Sequence, residues 1–265
     1  MRQERPGSGE LIYGVNPVLE ALKAGTPVER IYVASGARGQ GRRRLLALAR
    51  QHRVPVQSVP RIRLDRWVPG AAHQGVVALA AAAAYVPLET VLQRAQGRAE
   101  PPFLLLLDGV EDPGNLGAIL RSAEAGGVHG VVIPRHRCAG LVPSVVKASA
   151  GAVFHVPVTR VRNLAQTIGQ LRELGVRVVG GEPGAAASIY DTDLTGPLAL
   201  VVGGEGRGLR RLVAASCDAL AAIPLAGRVG SLNVSVAAGV MIFEALRQRC
   251  AARQRRERGA EEGPP

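Results

Sequence analysis

Three glycine-rich segments gather the side chains of this chain that could hold a small ligand or steer a reaction. The first is Asp108-Gly109-Val110-Glu111-Asp112-Pro113-Gly114-Asn115-Leu116-Gly117-Ala118-Ile119-Leu120-Arg121, which leaves an apolar run and opens a helical one. Open α/β sheets bind ligands at such strand-to-helix junctions. Asn115 is a residue type that caps helices, and its amide could equally face a ligand. Arg121 falls near the middle of the same helix, where an arginine is usually solvated or ion-paired. The second segment is Gly203-Gly204-Glu205-Gly206-Arg207-Gly208-Leu209, following the apolar Leu200-Val201-Val202. Glycines permit close backbone approach to a ligand. The spacing is not GxGxxG and no Walker lysine follows, which disfavours a phosphate loop. Glu205 would repel a phosphate and suits a cation or a guanidinium. The third segment is Ile223-Pro224-Leu225-Ala226-Gly227-Arg228-Val229-Gly230-Ser231-Leu232-Asn233-Val234-Ser235, leading into the last helix. Ser231 and Asn233 are helix-cap types and also polar groups able to position a substrate.

The elements around these segments read as α/β. Residues 103–107 form an uninterrupted apolar run of the kind found in buried parallel sheets. Strand-like runs at 130–133, 176–179, 198–202 and 220–223 alternate with helical ones at 116–125 and 164–174. A helix over 233–249 closes the series; it is apolar nearly all round, which predicts burial in the core or against a second subunit. Such alternation implies a mainly parallel sheet. A smaller α/β unit precedes it. Asn16-Pro17 reads as an N-cap with proline at the first helical position. Residues 30–33, 54–59 and 75–79 read as strands, and residues 42–52 as a helix. The expected organisation is a disordered stretch at 1–9, a small domain at 10–80, a linker at 81–100 with one helix, a larger domain at 101–252 and a disordered tail at 253–265.

Charge separates the two units. The chain carries a formal net charge of +12, and residues 1–98 hold 15 of its 33 basic residues against 6 of its 21 acidic ones. An excess of that size points to a polyanionic partner, nucleic acid first. Arginine supplies nearly all of it, which suits bidentate phosphate contacts and equally fits a GC-rich coding bias. Cys138, Cys217 and Cys250 are odd in number and widely spaced, with no metal-ligand pattern. That spacing, and a polar first stretch without an apolar signal core, predict a cytoplasmic protein. Composition and spacing do not fix the ligand or the reaction.

The three segments together resemble the three signature motifs of the SpoU family of RNA ribose 2′-O-methyltransferases, in the family's order. Asn115-Leu116-Gly117-Ala118-Ile119 with Arg121 is similar to the first, Gly203 through Leu209 to the second, and Ile223-Pro224 through Ser235 to the third. Gly14-Val15-Asn16-Pro17-Val18-Leu19-Glu20-Ala21-Leu22 and His73-Gln74-Gly75-Val76-Val77-Ala78 resemble the RNA-binding domain of the two-domain members, whose fold is like ribosomal protein L30e. The resemblance implies a C-terminal domain with a deep trefoil knot, homodimerisation through that region, and S-adenosylmethionine as cofactor without a metal. It implies cofactor contacts at Gly203, Gly204, Ile223, Leu225 and Leu232. Arg121, Asn115, Glu205, Ser231 and Asn233 become the catalytic set. Arg121 would accept or activate the 2′-OH proton, or orient an RNA phosphate; Glu205 would hold Arg121. Phosphate contacts are expected from Arg38, Arg42, Arg43, Arg44, Arg61 and Arg63. The substrate implied is RNA, with a guanosine of 23S rRNA, free or in a ribosome assembly intermediate, ahead of a tRNA enzyme, an antibiotic-resistance rRNA methylase or a non-catalytic assembly factor. A fragment of residues 99–265 is expected to fold alone and bind cofactor.

Overall fold

The computed structural model describes residues 10–36, 39–80, 83–206 and 208–261. The expected disorder at 1–9 lies outside them. The N-terminal unit runs β1 (Glu10–Tyr13), α1 (Val15–Lys23), β2 (Val28–Ala34), α2 (Gln40–Gln51), β3 (Val56–Val59), α3 (Arg61–Trp67) and β4 (Val76–Ala80). Its four strands lie in the order β1-β4-β2-β3, with β2 and β3 parallel and β4 antiparallel to both its neighbours. Because β2 and β3 are parallel, the helices that follow them start at the same edge of the sheet. Gly14 rather than Asn16 caps α1, with φ of +100° and no side-chain cap. The first helical N–H, that of Val15, donates instead to Gln74 Oε1 at 3.3 Å. Trp67 stands edge-on to Tyr32 at 4.7 Å between ring centres and closes one face of the small sheet.

The C-terminal unit contains α4 (Leu88–Gly97), β5 (Phe103–Asp108), α5 (Pro113–Ala125), β6 (Gly130–Pro134), α6 (Pro143–Ala148), a short 3-10 turn (Ala152–Phe154), β7 (Val158–Val161), α7 (Leu164–Glu173), β8 (Arg177–Gly181), β9 (Ala187–Ser188), β10 (Leu198–Gly203), α8 (Arg211–Ser216), β11 (Ala219–Ala222) and α9 (Val234–Glu261). Seven strands lie in the order β7-β6-β5-β10-β8-β11-β9, every pairing parallel. The chain moves outward from β5 to β6 and β7, then returns on the other side, so β5 and β10 flank the switch point. Leu104, Leu105, Leu106 and Leu107 are fully buried; their odd and even members feed two different core clusters on the two faces. Burying each contributes roughly 1.5–3 kcal/mol. Parallel pairing also puts the ends of β5, β8, β10 and β11 on one edge, and that edge carries the site.

Three features depart from the sequence reading. Helix α9 is not buried all round: Val234, Ala238, Met241, Ile242 and Ala245 are buried, while Val236 and Phe243 are 50 % and 47 % exposed. It continues to Glu261, past Arg253 where the tail was expected to lose order; Arg, Gln, Ala and Glu in that stretch all favour helix. The stretch expected as a linker is packed. Val91 and Ala95 of α4 are fully buried, Val86 N donates to Val158 O at 2.9 Å, and Tyr85 accepts from Leu141 N at 3.0 Å.

The two units share buried surface. One apolar cluster continues from Ile12, Val18 and Leu22 to Leu116, Val145 and Val153. Glu20 meets His155 at 2.9 Å, and Lys147 donates to Ala72 O at 2.9 Å. Burial would raise the pKa of Glu20, but hydrogen bonds from Lys23 and His155 outweigh it and lower it. Gly151 must be glycine here, since a Cβ would sit 2.4 Å from Glu20 Cβ and φ is +92°. A cut at residue 99 would therefore remove α4 and the whole of this surface, so the isolated 99–265 fragment exposes apolar area that the full chain covers. Among the described residues, no helix is long and apolar enough to cross a membrane.

Candidate functional site

The site forms where the loops after β5, β10 and β11 converge. Asp112, not Asn115, caps α5: its Oδ1 accepts from Asn115 N at 2.7 Å. The Asn115 side chain is thereby left to reach across to the β10 loop, where Nδ2 donates to Glu205 Oε1 at 3.1 Å. Asn233 Nδ2 donates to the same Glu205 oxygen at 2.5 Å and to Asn115 Oδ1 at 3.0 Å. Asn233 Oδ1 accepts from Ser235 N and Oγ at 2.9 and 2.6 Å, which ties the start of α9 to the cluster. Three residues from three separate segments thus form one hydrogen-bonded unit. The second oxygen of Glu205 has no hydrogen-bond partner among the described residues. Ser231 is exposed close by, without such a partner among the described residues.

Buried Asp108 locks two of these loops together. Its carboxylate accepts from Arg210 N at 2.9 Å and from Arg210 Nε at 2.6 Å, and its main-chain oxygen accepts from Gly204 N at 2.8 Å. The β10 loop then folds back on itself in a bridge between Gly204 and Gly208. The glycines permit this self-approach. A Cβ on Gly203 would lie 2.2 Å from the Gly208 carbonyl, and one on Gly204 would lie 2.2 Å from Gly109 O. Gly206 and Gly208 have φ of +76° and +59°, values that cost a side-chain-bearing residue about 1–2 kcal/mol.

Two cavities meet at this unit. One, of about 410 Å³, is lined by Gly203, Gly204, Ile223, Leu225 and Leu232, all five of the expected cofactor contacts. Val202, Ala221 and Met241 add apolar wall, and Glu182 adds a carboxylate whose Oε2 accepts from Leu209 N at 3.2 Å. The other, of about 420 Å³, is lined by the β5 loop, Asn115, Arg137 and Arg210. Gly204, Glu205, Gly208 and Val234 line both. Glu205 is thus the charged group on their common wall.

Arg121 stands apart from this assembly. It is exposed, lines neither cavity, and has no hydrogen-bond or ion-pair partner among the described residues. The expected Glu205–Arg121 pair does not form within the chain; the amides of Asn115 and Asn233 hold Glu205 instead. Helical geometry gives the reason: six residues advance about 9 Å and turn about 240°, so Asn115 and Arg121 face different ways.

Of the expected phosphate contacts, Arg38 lies outside the described residues. Arg42 donates to Ala34 O at 2.8 Å and is held against the sheet. Arg43, Arg44, Arg61 and Arg63 are exposed, in the first turns of α2 and α3 and so along one edge of the small sheet. Arg63 lies over the Trp67 ring at 5.5 Å.

Sequence reasoning missed Glu182, Met241, Asp108 with Arg210, and Arg137. Glu182 carried a signal: Val178-Val179-Gly180-Gly181 repeats the strand-to-glycine pattern of the second segment. Arg137 carried none, being one arginine in an arginine-rich loop. Cys138 and Cys217 are not part of the site, and burial pushes their thiols up to about 12 and about 11.

Comparison with known proteins gives the same partition. Residues 102–243 match the SpoU rRNA Methylase family, and residues 11–86 match the RNA 2′-O ribose methyltransferase substrate binding family. The chain is 46 % identical over 245 residues to the 23S rRNA (guanosine-2′-O-)-methyltransferase RlmB of Pseudomonas putida, covering 91 % of this chain and 97 % of that one. It is 44 % identical over 241 residues to the putative TrmH family tRNA/rRNA methyltransferase YacO of Bacillus subtilis, covering 91 % and 96 %. Its fold is similar to that of the SpoU methyltransferase AviRb from Streptomyces viridochromogenes in complex with AdoMet, with a TM-score of 0.76, 29 % identity, and 91 % and 90 % of the two chains covered. Both matched regions, the three convergent loops and the extent of these likenesses lead to one conclusion: the chain belongs to the SpoU rRNA methylase family.

Proposed function

We propose that this protein transfers a methyl group from S-adenosylmethionine to the ribose 2′-OH of a guanosine in 23S rRNA, acting in the cytoplasm as a homodimer. The observation that carries this reading is Glu205, fixed by Asn115 and Asn233 on the wall between two cavities. Methyl transfer needs two ligands held end to end with one polar group at their meeting point.

The cavity walled by aliphatic side chains fits the cofactor on chemical grounds. Its volume lies within the ~300–1,000 Å³ range of small-molecule sites. Ile223, Leu225, Leu232 and Met241 offer apolar contact to an adenine and a thioether carbon chain, and the carboxylates of Glu182 and Glu205 suit a ligand that carries cationic groups. When bound, S-adenosylmethionine supplies an activated methyl on a positively charged sulfur. The chain's own task is to align the ribose oxygen and to accept its proton at the free carboxylate oxygen of Glu205. Fixing such alignment is worth up to ~7–11 kcal/mol. Asn115 and Asn233 saturate one oxygen of Glu205 and leave the other directed to accept a hydrogen bond from a 2′-OH. Ser231 stands beside that position and can steady the same hydroxyl.

Arg121 joins the reaction from a second subunit. Within one chain it is distant from Glu205, and a guanidinium stays protonated, which makes it a poor base. It is suited to hold an RNA phosphate and to stabilise alkoxide character at the 2′-oxygen. Val236, Val240 and Phe243 recur at helical spacing on the open face of α9 and give a dimer an apolar seam. The knot implied by the family belongs to the same proposal, with its crossing where Gly203 and Gly204 press on Gly208 and Gly109. Arg43, Arg44, Arg61 and Arg63 form the edge along which the N-terminal domain takes rRNA.

The test is calorimetry with S-adenosylhomocysteine, followed by methylation of unmodified 23S rRNA and mapping of the product by mass spectrometry. The expected result is one bound ligand per chain and one 2′-O-methylguanosine. Absence of binding to the folded protein, or methylation on a base, overturns the reading.

A further inference from the structure

The cavity on the RNA side of Glu205 has an electrostatic difficulty. Glu111, Asp112 and Glu205 present carboxylates to it, and buried Asp108 lies behind them. A ribose entering this space brings phosphates on both sides, so the walls as a whole repel the substrate that the proposed function requires. Two guanidiniums line the same cavity. That of Arg210 is already neutralised by Asp108, through Nε at 2.6 Å and Nη2 at 2.5 Å. Arg137 is exposed and has neither an ion-pair nor a hydrogen-bond partner among the described residues.

The backbone of Arg137 is left-handed, as it is at Arg53, Gln74, Ala99 and Ala150. Arg137 lies in the loop between β6 and α6 with φ of +58°, in the left-handed region. A residue with a Cβ occupies that region at a cost, and where glycine is not used the side chain itself is a candidate for the reason. The loop is pinned on both sides of the turn, before it by Arg135 N, which donates to Val161 O at 2.8 Å, and after it by two further bonds. Ala139 N donates to Val110 O at 2.9 Å, joining it to the β5 loop that also carries Glu111 and Asp112. Leu141 N donates to Tyr85 Oη at 3.0 Å. Cys138 is part-buried and Ala139 buried, so the chain next to Arg137 is anchored while its guanidinium is free.

We propose that Arg137 is a phosphate-binding residue of the catalytic domain, holding a phosphate next to the target ribose so that the 2′-oxygen rests against Glu205. The proposal deepens the methyl-transfer reading and depends on it. The guanidinium's planar fork suits two phosphate oxygens at once. It also supplies a counter-charge to the carboxylate-lined cavity that is not already paired among the described residues. Arg137 does not act on the proton, so its loss affects RNA binding and alignment and leaves cofactor binding alone.

The experiment compares wild type with Arg137→Gly, Arg137→Ala and Arg137→Lys, using unmodified 23S rRNA transcript and S-adenosylmethionine. Glycine is the decisive variant, because it removes the guanidinium while relieving the left-handed backbone. The expected result for Arg137→Gly and Arg137→Ala is a rise of roughly ten-fold or more in KM for RNA. The log–log salt dependence of RNA binding should flatten by about 0.7–0.9, one phosphate contact. Arg137→Lys should recover part of the loss, and S-adenosylhomocysteine affinity should match wild type in all three. Wild-type KM in Arg137→Gly would overturn the proposal and assign the residue to loop geometry. Equal loss of cofactor binding would also overturn it, since the residue would then support the other cavity. Failure of wild-type enzyme to methylate the transcript would instead count against the proposed function itself.

Discussion

The two cavities that meet at Glu205 differ in what builds them. The cavity proposed for the cofactor is made mainly of backbone and aliphatic wall: glycines that let the β10 loop lie on itself and on Gly109, with Ile223, Leu225 and Leu232 lining it too. The cavity proposed for the RNA is lined by charged side chains drawn from separate loops, Glu111, Asp112, Arg137 and Arg210 among them. A glycine cluster after an apolar strand announces the first kind in sequence. Nothing local announces the second, because its members converge only when β5, β6 and β10 lie side by side.

The largest effect should come at the shared wall. Glu205→Ala is expected to lower the rate of methyl transfer by about 10²–10⁴-fold, the range for a positioned group that handles a proton. S-adenosylhomocysteine affinity should change far less. Single-turnover methylation and calorimetry separate the two. A variant that lost cofactor binding and rate in equal measure would erase the distinction between the cavities.

Next in size is Arg121→Ala, expected to lower transfer by about 10²–10³-fold with cofactor affinity intact. If Arg121 works across a dimer, mixing Arg121→Ala with Glu205→Ala subunits should restore activity, because one site of the heterodimer then has both groups. Heterodimers purified with two different tags provide the measurement. Heterodimers as inactive as either parent would remove Arg121 from the partner's site.

The glycines give a smaller, thermodynamic effect. Gly204→Ala should cost about 1–3 kcal/mol of stability and weaken cofactor binding, since its Cβ meets Gly109 O at 2.2 Å. Gly227→Ala, in the third segment with nothing within 4 Å, should be close to neutral. Urea unfolding of both decides it. Equal behaviour would mean that loop self-approach does not define the first cavity.

The smallest effect lies outside both cavities, at the base of β5. His129 Nδ1 accepts from Phe103 N at 3.0 Å, and Nε2 meets Glu100 at 3.0 Å. Burial holds the imidazole pKa below its usual 6.5, with Glu100 offsetting part of that. A group with a depressed folded pKa contributes stability above its unfolded value and loses it as pH falls toward the folded one. The urea midpoint should therefore decline as pH falls below the ordinary imidazole value of 6.5, and less so in His129→Gln. A flat profile in wild type would contradict the buried neutral imidazole.

The same contrast explains what the sequence made legible. A mainly parallel sheet followed from apolar runs such as 103–107, which suit burial on both faces; five of the seven strands were legible this way, and β7 and β9 were not. The three loops stood out because glycines cluster there after apolar strands, and at Gly203 and Gly204 the close approach is of chain against chain. Asn115 was ambiguous between cap and site, and Asp112 resolves this by capping α5 itself. The position of Arg121 could not be read, since an i,i+6 relation on a helix separates two residues that one motif groups together. Strands β1 and β7 are four residues each and too short to give a period. The surface between the two units was invisible for the same reason as the second cavity: Glu20 and His155 are far apart in sequence.

If this protein places one methyl group on a ribose of 23S rRNA, cells without it lack that methyl. The direct measurement is mass spectrometry of 23S rRNA from cells that lack the protein, with and without a plasmid copy. The account predicts that one 2′-O-methylguanosine disappears, returns with the wild-type copy, and does not return with Glu205→Ala. An unchanged set of ribose methylations in its absence, or full restoration by Glu205→Ala, would contradict it.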